Sequence, residues 1–218
     1  MATYPIELNL TGRTVLVVGG GRVAARKVAG LVEAGASVRV VSLQFAPELL
    51  ERQDIARETR AYGPDCLAGA ALVFACTDDW GVNEAAGAEA RARGIWCNVA
   101  DEPGECDFFV PAVLRRGQLT VSVGTGGVAP GAAAAVRAVL ASHLPPEWGI
   151  LVEELGRARR ILKARVPDVR LRRQILETLC SECSVKLLTT RDRAAWRDWF
   201  ERVTDYRLRG LEGVPDVM

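Results

Sequence analysis

The chain has 218 residues, 49% of them hydrophobic and 25% charged, as in a globular protein that buries a real core. Its formal net charge of +1 supplies no field that would draw nucleic acid or an anionic membrane. No apolar run approaches the ~20 residues that cross a bilayer. "MATYPIELNL" lacks the basic start and apolar stretch of a secretion signal, so a cytoplasmic protein is expected. "TVLVV" (14–18) reads as a strand buried on both faces, and a helix follows from Val23 to Ala34, stopped at Gly35. "SVRVV" (37–41) is a second strand, and "IARETRAY" (55–62) alternates like a third, more exposed one. "ALVFAC" (71–76), a helix over 82–93 and "IWCNVA" (95–100) continue the rhythm, which implies a doubly wound parallel sheet of Rossmann type.

The pattern changes after Asp101. Residues 107–125 read as two strand segments around an Arg115-Arg116-Gly117 turn, and Pro130 sits just inside an Ala-rich helix that runs to about His143. "LPPEW" (144–148) breaks that helix, and three amphipathic stretches follow over 148–166, 168–183 and 190–203. The expected domains are therefore 1–112, an NAD-binding Rossmann domain, 113–147, a small α/β domain, and 148–218, a helical carboxyl-terminal domain.

The six cysteines (66, 76, 97, 106, 180 and 183) fit reduced thiols. Cys180-Ser-Glu-Cys183 is a lone CxxC in a helix-like stretch, far in sequence from the single histidine, so no metal site is assigned to it. Lysine occurs only at 27, 163 and 186. The resulting wealth of arginine suits carboxylate-rich ligands, although a coding bias toward arginine accounts for it at least as well.

Gly19-Gly20-Gly21-Arg22-Val23-Ala24 fits G-x-G-x-x-A between a strand and a helix, the context in which that spacing binds a dinucleotide. Gly19 permits the tight turn, Gly21 the close approach of a pyrophosphate, and Ala24 the packing of helix on strand. The N–H groups near Arg22 and Val23 then face the phosphates. The second strand ends in Ser42, Leu43 and Gln44, with neither the usual ribose-binding acid nor an arginine for a 2′-phosphate, so NAD is the expected cofactor. The loop after the fourth strand offers Thr77 as a cofactor contact, while Asp79 reads better as a helix N-cap. In "CNVADEPGECDFFVPA" (97–112), Asp101 directly follows the fifth strand, where a carboxylate can take a proton as a hydride departs. Glu102 and Asp107 rival it on charge alone, and Asp107 also suits a tie within the turn.

Taken together, "YPIELNLTGRTVLVVGGGRVAARKVAGLVEAGA", "ACTDDWGVN", "CNVADEPGECDFFVPA", "LTVSVGTGGVAPGAAAAVR" and "LPPEWG" resemble the siroheme synthase amino-terminal family. These proteins are precorrin-2 dehydrogenases, some of them also sirohydrochlorin ferrochelatases. The resemblance covers residues 4 to about 148 and matches the helical part only loosely. It implies NAD-dependent oxidation of precorrin-2 to sirohydrochlorin, an oxidoreductase step in siroheme (porphyrin-type) biosynthesis, with iron insertion, a lyase activity, as a second activity left open. It also implies a homodimer built largely by residues 113–147, an essential acid/base at Asp101, and cofactor contacts at Arg22, Val23, Leu43 and Gln44. The family commonly lacks the ribose acid as well. Where its members read close to "STGG-x-SP", this chain has "GTGGVAP", leaving Thr125 as the hydroxyl and Ala129 in place of serine.

Precorrin-2 carries eight carboxylates, and the order of elements puts Arg115, Arg116 and Arg137 toward the cleft, although surface solvation suits any one of them better. No methyltransferase segment is read in the chain, so precorrin-2 is expected from a separate protein. Two other readings stay open: a non-catalytic nucleotide-sensing module, as in regulatory domains of cation transporters, and an NAD-linked dehydrogenase of another anionic substrate.

Overall fold

Thr14–Val18 forms β1, with four of its five residues buried because both faces of the strand are covered. The computed structural model describes residues 3–189 and 193–209. Arg22–Glu33 is α1, Ser37–Ser42 is β2, and Ala56–Thr59 is β3. Leu72–Ala75 is β4, Trp80–Ala92 is α3 and Trp96–Val99 is β5, with a one-turn helix α2 at Pro47–Leu50. The five strands are all parallel, in the order β3-β2-β1-β4-β5. Val17 of β1 lies level with Val40 of β2 on one side and Phe74 of β4 on the other. The strand order reverses between β1 and β4, so a crevice opens at their carboxyl ends.

Alternation along the strands divides the core into two layers. Val15, Val17, Val38, Val40 and Phe74 pack under Ala24, Val28 and Leu31 of α1. Leu16, Val18, Val41, Val73 and Ala75 pack on the other face with Ala86 and Ala90 of α3. The third strand is shorter than its alternation implies, because only Ala56–Thr59 pairs with β2. Helix α2 has no periodic signal at four residues, yet it seats Leu49 fully in the core.

The chain forms two compact units. One comprises the residues up to Val110 together with Gly124–Ala129, and the other comprises Pro111–Val123 with the residues from Pro130 onward. In the second unit, β6 (Ala112–Arg116) and β7 (Leu119–Val123) form an antiparallel hairpin with Leu114 opposite Val121. Helices α4 (Pro130–His143), α5 (Glu147–Arg165), α6 (Val169–Leu179), α7 (Glu182–Thr189) and α8 (Arg193–Leu208) follow. Leu151, Leu162, Ile175, Leu179, Leu188 and Trp199 are its buried centre.

The amphipathic stretch 168–183, which reads as one helix, is two. Cys180 leaves helical geometry at φ −80°, ψ 73°, and the Ser181 hydroxyl accepts the Ser184 N–H at 3.4 Å to start α7. Residues 190–192 of the last amphipathic stretch lie outside the described residues. Among the described residues, no helix is long and apolar enough to cross a membrane.

Candidate functional site

The carboxyl ends of β1, β2, β4 and β5 bring together, within the first unit, every residue singled out for the cofactor or for catalysis. The glycine turn has three distinct local environments. Gly19 has φ +115°, and a Cβ there would lie 2.5 Å from the Cys76 carbonyl oxygen. A Cβ on Gly20 would overlap the Gln44 carbonyl oxygen and lie 2.8 Å from Ser42 Oγ. Gly20 also accepts the Ala46 N–H at 2.7 Å, so the turn is clamped onto the end of β2. The spacing rule treats Gly20 as a free position, and the requirement for glycine there comes entirely from the packed neighbour. At Gly21 a Cβ would meet nothing within 4 Å. The space beside Gly21, at the start of α1, is open.

Helix α1 starts beside this space with no side chain capping it and no acidic residue in its first turn. Its leading N–H groups have no intrahelical acceptors, and the positive end of its dipole is left uncompensated, which is how helices bind phosphates. Arg22 and Val23 open the helix, both solvent-exposed. Leu43 and Gln44 are also exposed, with Leu43 at 69%, an unusual surface for a leucine beside a crevice.

Thr77 leaves β4 directly against the turn, its backbone nitrogen 3.0 Å from where a Gly19 Cβ would stand. Its N–H donates to Oδ1 of the buried Asn83 at 3.0 Å, and its hydroxyl lies 2.8 Å from both that oxygen and the Asp79 carbonyl. The Thr77 hydroxyl therefore serves its own loop, and Asn83 holds it there. Asp79 caps α3 by accepting the Val82 N–H at 3.2 Å. Asp79→Ala is expected to cost about 1 kcal/mol of stability, read as a lowered midpoint in thermal denaturation.

Asp101 follows β5 by two residues and has φ +62°, the one non-glycine residue with positive φ among those described. Such a conformation costs on the order of 1–3 kcal/mol and persists only where its surroundings over-determine it. Three neighbours on the returning chain do so. Cys106 folds its thiol back onto the loop, and Asn98 Nδ2 donates to the Phe108 carbonyl at 2.9 Å. Asp107 accepts the Cys97 N–H at 2.8 Å and returns its own N–H to the Cys97 carbonyl at 2.9 Å. The Asp107 carboxylate is thus spent on the outer edge of β5, as its place before the apolar run suggests.

Lys27, which the sequence did not single out, stands on α1 with Nζ 5.6 Å from the Phe74 ring centre, and Phe74 meets Phe108 edge to face at 5.3 Å. Burial pulls its ammonium below the ordinary lysine value, while Cys76, Cys106 and Asp101 are near enough to pull it back. Burial also pushes the thiols of Cys76 and Cys97 up to about 11 and about 12, so both are inert packing groups.

Gly124–Ala129 folds onto the loop that carries Asp101. Gly127 has φ +82°, and a Cβ there would lie 2.7 Å from the Phe109 ring and 3.3 Å from Pro103 Cβ. The Thr125 hydroxyl accepts the Ala129 N–H at 3.2 Å. Arg115, Arg116 and Arg137 belong to the second unit. Arg115 reaches Thr120 across the hairpin at 3.3 Å, and Arg116 ties down the end of α4 through the carbonyls of Leu144 at 2.9 Å and Ala141 at 3.2 Å. Arg116 therefore acts as a tie at the end of α4. Among the described residues, no group of three or more His, Cys, Asp or Glu is arranged to hold a metal ion.

Residues 6–112 match a family model described as "Putative NAD(P)-binding". Siroheme synthase of Chromobacterium violaceum is 40% identical over 205 residues, covering 93% of this chain and 44% of that protein. Siroheme synthase of Methylobacillus flagellatus is 42% identical over 176 residues, 79% of this chain and 38% of that protein. The chain spans less than half the length of these curated relatives. The solved structure of SirC, a precorrin-2 dehydrogenase, superposes with a TM-score of 0.74 at 21% identity, over 94% of this chain and 100% of that one. At that identity the likeness establishes the shared fold.

Proposed function

The chain belongs to the siroheme synthase family over the part it shares with those relatives, and on that premise we propose that it oxidises precorrin-2 to sirohydrochlorin with NAD. One observation carries the reading: in a single unit, the open space at Gly21 beside an uncapped helix lies on the same sheet edge as a carboxylate held in a left-handed conformation at Asp101.

The bound cofactor supplies the hydride acceptor. The N–H groups at the start of α1, around Arg22 and Val23, hold its pyrophosphate, and Gly21 leaves room for the approach. The exposed Leu43 side chain and Gln44, at the end of β2, receive the adenosine end without a ribose acid. Thr77, locked by Asn83, forms the floor between the turn and the exit of β4. Asp101 accepts the proton that leaves the substrate as the hydride departs, so two hydrogens are lost as one hydride and one proton.

The deciding measurement is anaerobic incubation of the protein with precorrin-2 and NAD, followed by absorbance. Growth of the sirohydrochlorin spectrum in step with NADH is the expected result. NAD binding without turnover would instead make the chain a nucleotide-sensing module.

The protein is proposed to act as a homodimer in the cytoplasm. Helix α4 is rich in alanine and valine, yet it buries only Ala133, while Val136 and Val139 are 48% and 59% exposed. An apolar helix left this open fits a partner surface. Sedimentation is expected to give a dimer for the native chain and a monomer for Val136→Glu/Val139→Glu, and an unchanged dimer in that variant would remove α4 from the contact.

A further inference from the structure

Cys106 is half-buried, and its sulfur is ringed by hydrogen-bond partners. Its Sγ donates to the Val99 carbonyl at 3.1 Å and accepts the Val99 N–H at 3.3 Å and the Asn98 Nδ2 at 3.4 Å. The Glu102 carbonyl lies 3.4 Å away. These partners stand on both sides of Ala100 and Asp101, so one sulfur closes the loop whose only strained residue is Asp101. We propose that Cys106 is a positioning residue, whose thiol staples the loop and holds the Asp101 carboxylate at the exit of β5.

The geometry favours sulfur over its usual substitutes. A hydroxyl makes its best hydrogen bonds at about 2.7–3.0 Å, so serine at this position cannot span the same partners at once without drawing the loop inward. An alanine leaves the Val99 N–H and carbonyl without their sulfur partner and removes the tie across Ala100 and Asp101, while the Asn98–Phe108 and Asp107–Cys97 bonds stay in place. Burial pushes the Cys106 thiol up, which keeps the proton it donates to Val99. The thiol stays a donor and takes no part as a nucleophile.

The inference rests on Asp101 being the acid/base of the proposed reaction, and the test separates the two. In the full chain, Cys106→Ala is expected to lower kcat by about 10- to 100-fold, with KM and NAD affinity within about threefold of native, because the carboxylate is displaced and the glycine turn is not. Cys106→Ser is expected to recover part of the loss. Added to Asp101→Asn, Cys106→Ala should cost nothing further, since it acts through that carboxylate. Full kcat in Cys106→Ala, or a loss that multiplies with that of Asp101→Asn, would overturn the proposal.

A second readout does not depend on activity. Amide hydrogen exchange in Cys106→Ala is expected to quicken at residues 99–106 by at least about tenfold while residues 19–25 keep native protection. Unchanged exchange over 99–106 would also overturn the staple. Native protein that is inactive on precorrin-2, combined with quickened exchange, would remove the proposed reaction and leave the staple standing.

Discussion

Asp101→Asn is expected to lower turnover of precorrin-2 by about 10²- to 10⁴-fold, the loss typical of removing a general acid–base group. Asparagine is the informative substitution at this position. Asp101 has φ +62°, and asparagine is among the few residues that enter the left-handed region readily, so the loop keeps its course. The side chain also keeps its size and one acceptor oxygen. What disappears is the ability to take a proton. NAD affinity, measured by titration calorimetry, should stay within about twofold of native, because the helix start and glycine turn that hold the pyrophosphate are untouched. Activity close to native in this variant would take the acid/base role away from Asp101 and hand it to a group on the substrate or to Glu102.

Adjacent glycines of the turn should fail in opposite ways. Gly20→Ala places a methyl group onto the Gln44 carbonyl and against Ser42, at the point where the turn is clamped to β2. The neighbours are main chain in a packed strand end, so the expected cost is that of overpacking, about 1–3 kcal/mol or more, seen as a lower denaturation midpoint. Gly21→Ala places its methyl group in open space, on a backbone at φ −83° and ψ −171° that alanine adopts freely. Its denaturation midpoint should stay near native while NAD affinity falls about tenfold or more, because the methyl group fills that space. Native NAD affinity in Gly21→Ala would mean that the open volume is not where the cofactor passes. The pair thus separates a glycine required by the fold from one required by the ligand.

The same contrast shows how far one-dimensional pattern reaches. Asp79 was legible as an N-cap because a cap involves residues three apart, and the structure has its carboxylate on the Val82 N–H. The tie formed by Asp107 was legible from its place before an apolar run. Gly20 was not legible as essential, since the atom that excludes a side chain belongs to Gln44, twenty-four residues away in the bend that follows β2. The tie made by Arg116 was not legible for the same reason. Its acceptors at Ala141 and Leu144 become neighbours only when the hairpin and α4 pack. The break at Cys180 is not legible in the sequence because the apolar stripe runs across it, and only the backbone angles reveal two helices.

By itself, the sequence determined the order of strands and helices, the parallel sheet and the glycine turn, because these follow from side-chain period and from short-range backbone chemistry. It also placed Asp101 at the end of a strand, and hence at the edge where such sheets bind ligands. The tertiary structure alone decided which carboxylate is held in a strained conformation, and which groups hold it there. It also decided that Gly124–Ala129 folds back onto that loop through Gly127 and Phe109. Those outcomes depend on atoms that are distant along the chain and adjacent in space, and no local period records them.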